Sequence, residues 1–110
     1  MTYKEEQEYN RLSSSEKKEY NRAKEDHPNW SHEQYMAKAK IIGNIDVNID
    51  KGKDVNKPEI LSEILQKTKD WLKRFTDIGT SIILAIDSAI ESLKRGVCNA
   101  IESVLDWIFG

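Results

Sequence analysis

The chain has one cysteine, two prolines and five glycines among its 110 residues. A lone Cys98 excludes an intramolecular disulfide, and its expected role is a small buried side chain in a reducing compartment. Only Pro28 and Pro58 interrupt helix outright, so the composition favours helix over sheet. Neither sign of charge dominates: 17 basic and 19 acidic side chains leave a net charge of −2. The balance also holds locally, with eight and eight in residues 1–42, two and three in 43–56, and seven and eight in 57–110. Nucleic-acid binding needs a basic face that releases phosphate counterions, so no nucleic-acid partner is expected. Long apolar runs are missing too. The longest uncharged stretch, Ile78 to Ile86, has nine residues, against the roughly 20 of a spanning helix. Residues 1–6 lack the apolar run of a signal peptide. The expected location is the cytoplasm, with peripheral membrane attachment or export without a signal peptide as alternatives.

Chemistry-bearing motifs are scarce. His27 and His32 flank Pro28 and Trp30 with no metal-ligand spacing, and read as helix-end and turn histidines. No glycine-rich phosphate loop, nucleophile elbow or carboxylate pair stands out, so an enzyme, a cofactor and a metal are not expected. Asp46, Asn48 and Asp50 resemble the start of a calcium loop. An EF-hand, however, needs glycine and glutamate at its sixth and twelfth positions, where this chain has Lys51 and Lys57. The basic cluster Lys67, Lys69, Lys73 and Arg74, interrupted by Asp70, reads as a solvated face.

The pattern that is present is helical, and the expected class is all-α. Residues 1–42 form a small helix-turn-helix-like module. A polar helix over 3–12 comes first, then Ser13 with Glu16 as a capping box starting a helix that stops before Pro28. Ser31 and Gln34 make a second capping box, with Trp30 and Tyr35 as its hydrophobic staple. This third helix is expected to end near Ile42, with Gly43 as its C′ residue. The module shares Tyr9, Leu12, Tyr20, Ala23, Trp30, Tyr35, Met36 and Ile41, a core thin enough to need a further partner or the C-terminal half. The pattern of Leu12, Ser13, Glu16, Lys17, Tyr20 and Ala23 resembles a helix junction in HMG-box proteins. It covers about a dozen residues, lacks that family's basic surface and reflects shared capping physics. Residues 43–57 read as a polar linker, with Ile45, Val47 and Ile49 alternating as in an edge strand.

From Pro58 onward apolar residues recur every eleven. Ile60, Trp71, Ile82, Leu93 and Val104 form one column, and Ile64, Phe75, Ile86, Val97 and Ile108 a second. Ile78, Ala89 and Ala100 make a third, while Asp70, Ser81, Ser92 and Ser103 make a polar column opposite. Eleven residues in three turns is about 3.67 per turn, close to a relaxed α-helix. With Ile90 and Ile101 the apolar arc spans roughly 130°, wider than a two-stranded seam. The spacing therefore predicts one long amphipathic helix over 58–110, with an αα-hairpin broken near Gly79 as the alternative. Trp107, Ile108 and Phe109 give it an apolar terminus that should dock into something.

These observations lead to a non-enzymatic self-assembly or adaptor protein. It would act through that face as a homo-oligomer, or with a helical protein partner. The first rival is a membrane-surface or membrane-inserting helix, including a small toxin, although residues 78–110 hold only Lys94 and Arg95 against four acids, a poor match for anionic lipid. The second is a small component of a phage tail or injection apparatus, since the Trp/Ile/Ala-rich repeat resembles stretches of tail tape-measure proteins.

Overall fold

Three N-terminal helices start where hydroxyl side chains take free backbone N–H groups. A computed structural model describes all residues, Met1–Gly110. Helix α1 (Tyr3–Tyr9) is capped by Thr2, α2 (Ser14–Asp26) by Ser13 and α3 (His32–Asp50) by Ser31. Each cap is a reciprocal box with Glu5, Glu16 or Gln34. The Thr2 backbone N–H donates to Glu5 Oε1 at 3.0 Å and is the main reason that the Glu5 carboxyl titrates below its usual range. Trp30 packs on Tyr35 with ring centroids 5.9 Å apart, as the staple predicts.

Helix α3 differs from expectation at its far end. It runs straight through Gly43 to Asp50 and ends at Gly52. There the Gly52 N–H donates to the Ile49 carbonyl and the Lys53 N–H to the Asn48 carbonyl, a Schellman closure made with Gly52 at φ +77°. Gly43 has another purpose, because α2 crosses there and leaves no room for a β-carbon against Glu16. The alternation of Ile45, Val47 and Ile49 marks no strand. Ile45 is buried, while Val47 and Ile49 face solvent on the helix.

The single long C-terminal helix is also corrected. The repeat is folded into three pieces: α4 (Pro58–Leu72), α5 (Ser81–Lys94) and α6 (Ile101–Phe109). Gly79, at φ +97°, lies in the first break, so the hairpin alternative describes this turn. The second break is a Schellman closure at Gly96, with Gly96 N–H to the Leu93 carbonyl and Val97 N–H to the Ser92 carbonyl. Helix α6 then begins at Ala100, which has no side-chain acceptor. Ser103 Oγ takes the Asn99 and Ala100 N–H groups instead, and the Ile101 N–H donates to Asn56 Oδ1 at 3.2 Å. A continuous helix would leave its apolar arc in water. Folding back turns each segment's arc toward its neighbours at the expense of two turns.

The outcome is an all-helical chain of six helices with no strands. Helix α3 is central, packing against α2, α4 and α5, and α4, α5 and α6 follow as successive neighbours. One core of 23 buried residues runs from Leu12 to Ile108 and crosses the 43–57 segment at Ile45 and Val55. Thr68, fully buried, donates to the Ile64 carbonyl and accepts from Asn44 Nδ2, tying α4 to α3.

Candidate functional site: the residual apolar strip and the polar ends

The structure uses most of the predicted interaction face internally. Ile64, Ile82, Ile86, Ile90, Leu93, Val104 and Ile108 are buried in the core. Ile60, Trp71, Ile101 and Phe109 are partly buried against it, and Phe75 is half-buried. Only Ile78, Val97 and Trp107 remain exposed, at 79%, 62% and 46%. The polar column is not uniformly outside either: Ser92 is buried beside Leu93. The reason is that α4, α5 and α6 each face the core with a different rotation, so one column does not keep one environment.

The apolar C-terminal turn docks within the chain. Ile108 enters the core, and Phe109 stacks on Trp30 at 5.1 Å. His27 lies on Trp30 at 4.0 Å, and the Lys38 ammonium sits over both Trp30 and Phe109. Trp107 points elsewhere. Its indole N–H donates to Ser88 Oγ at 2.9 Å while nearly half of the residue meets solvent. Leu84, exposed at 57%, lies one turn before Ser88 on the same face of α5. Leu84, Ser88 and Trp107 thus form an apolar strip across α5 and α6. Ile78 and Val97 sit in the loops before and after α5, at its opposite ends.

Leu84 is a residue that sequence reasoning missed. Its own eleven-residue column reads Ser62, Lys73, Leu84, Arg95 and Asp106, so Leu84 is the one apolar member of a polar set. That mismatch was the available signal.

His32 is also placed differently from a turn histidine. Its side chain is almost fully buried, with Nδ1 2.8 Å from the Tyr20 hydroxyl and Nε2 3.0 Å from Glu8 Oε1. A carboxylate only accepts, so Nε2–H donates to Glu8; in the neutral ring that tautomer leaves Nδ1 to accept from the Tyr20 O–H. The line joins α1, α2 and α3. The Tyr20 phenol is pushed up to about 12, mainly by burial and secondarily by the Glu5 carboxylate. Tyr20 is 2% exposed, so this line is a clasp between helices rather than a site that substrate reaches. Glu16, by contrast, joins its cap to an ion pair with Lys40 at 3.2 Å.

Around the outer end of α1, Lys4, Gln7, Glu8, Arg11, Arg74 and Phe75 line a cleft of about 240 Å³. The Arg11 guanidinium lies over the Phe75 ring at 5.3 Å, and Trp71 meets Phe75 edge-on. Of the basic cluster read from the sequence, Lys67 pairs with Glu63 and Lys69 with Asp87, while Arg74 turns to this cleft. No helix is long and apolar enough to cross a membrane. Comparison of the chain with protein-family models, characterised proteins and solved structures finds no match.

Proposed function

We propose that this chain is a non-catalytic helical interaction module that self-associates through the Leu84–Trp107 strip. The observation that carries the reading is Trp107. A large aromatic side chain is held in one orientation by its bond to Ser88 yet left half in water. Interfaces draw most of their energy from such anchored aromatic residues, because little side-chain freedom remains to be lost on binding. In this reading the eleven-residue repeat builds the module's own core, and the interface is the part of α5 and α6 that the core leaves over. The strip is small, which places the contact in the weak, transient class rather than among obligate dimers.

Sedimentation equilibrium over a wide concentration range tests this. The parent should show a concentration-dependent dimer, Leu84→Asp should be monomeric, and Val97→Asp, altered in an exposed loop away from the strip, should behave like the parent. A parent that stays monomeric throughout, or a Leu84→Asp variant that associates normally, refutes the proposal. Partition onto vesicles that depends on Leu84 replaces it with the membrane-surface reading.

A further inference from the structure

We infer that the cleft between α1 and the end of α4 binds a phosphate monoester. Lys4 and Arg11, two helical turns apart at α1, and Arg74, just past α4, line one opening, although the chain as a whole is slightly acidic. None of the three forms an ion pair, whereas six other basic or histidine side chains do. Three cations facing a single carboxylate leave an excess of like charge, which an anion relieves. The one carboxylate in the lining, Glu8, is engaged by His32 Nε2.

The geometry and the charge count select the ligand class. The Arg11 guanidinium carbon lies 5.3 Å from the Phe75 ring centroid, so the ring supports a group whose forked N–H donors suit a two-oxygen contact. Arg74 and Lys4 line the same cleft and bring guanidinium and ammonium donors to it, and Gln7 brings an amide. Three cations and one carboxylate sum to +2, which matches a phosphate monoester dianion and overcompensates a single carboxylate. The site recognises the phosphoryl group, whether it arrives on a small metabolite or as free phosphate. Helical spacing puts Lys4 and Arg11 on one side of α1, and only the docking of α1 against the α4–α5 turn brings Arg74 to them.

Titration of the full chain with phenyl phosphate, inorganic phosphate and benzoate at low ionic strength, followed by 15N–1H NMR, tests the site. Expected are saturable shifts confined to residues 4–11 and 73–76, stronger for either phosphate than for benzoate. Tighter binding of phenyl phosphate assigns an ester as ligand, and equal binding assigns free phosphate. Arg11→Gln and Arg74→Gln should each weaken phenyl phosphate binding about tenfold or more. Arg11→Lys, which keeps the charge and removes the fork, should weaken it less than Arg11→Gln. Unchanged amide spectra elsewhere verify that each variant is folded. Benzoate binding as tightly as phosphate, non-saturating shifts spread over Lys24, Lys53 and Lys67, or full affinity in the double Arg11→Gln/Arg74→Gln variant would overturn the inference.

Discussion

Replacing Gly43 with alanine isolates the contact that sets the α2–α3 crossing. In an exposed helix interior this change stabilises by about 1 kcal/mol, because alanine loses less backbone freedom than glycine. Here a β-carbon on residue 43 would lie 2.7 Å from Glu16 Oε2 and 2.9 Å from Glu16 Cγ. A flexible side chain could swing away, but Glu16 is tethered. One oxygen takes the Ser13 backbone N–H at 2.8 Å, and the other pairs with Lys40 at 3.2 Å. Moving it loosens the cap, worth about 1 kcal/mol, and strains the packing by about 1–3 kcal/mol. The clash therefore wins, and Gly43→Ala should destabilise by about 1–3 kcal/mol. In a Glu16→Ala background the obstructing atoms are gone, and the same change should stabilise by about 1 kcal/mol. Urea unfolding of the four chains of this cycle measures the reversal of sign. If Gly43→Ala stabilises both backgrounds equally, the crossing is loose and Glu16 does not hold residue 43 to glycine.

Ile86→Asp and Ser92→Asp should both destabilise the fold, the first by several kcal/mol, because each puts an unpaired charge into the core. Val97→Asp should change thermal stability little, so the ordering follows burial rather than repeat phase. Ser31→Ala should lower stability by about 1 kcal/mol, whereas Ser14→Ala should be near neutral, since Ser13 is the residue that caps α2; equal losses in chemical denaturation would contradict the assignment. The raised Tyr20 phenol makes stability depend on alkaline pH. Its contribution is fully present below the ordinary tyrosine value of 10.0 and is lost as pH rises toward about 12, by an amount on the order of 2 kcal/mol. Tyr20→Phe should remove that step from the pH–stability curve measured by denaturant unfolding.

Local rules, acting over a few residues, were legible from the sequence alone. The all-helical class, the capping boxes at Ser13 and Ser31, the Trp30–Tyr35 staple and the start of a helix at Pro58 all depend on near neighbours. Of the eleven-residue repeat, the positions inside α4, α5 and α6 mostly turn toward the core, whereas Ile78 and Val97 fall in exposed loops, because periodicity records which side of a turn is apolar. It does not record what covers that side. Phase is preserved whether the chain continues or folds back, and tertiary packing decided for folding back, since α4, α5 and α6 can cover one another's apolar faces. The same limit applies to the glycines. Gly43 and Gly52 look alike in sequence, yet a helix crossing at Glu16 gave the first to close approach and left the second to end α3. The Leu84–Trp107 strip and the Lys4–Arg11–Arg74 cleft were set by tertiary structure too, because each brings together side chains whose distance in the chain carries no local signal.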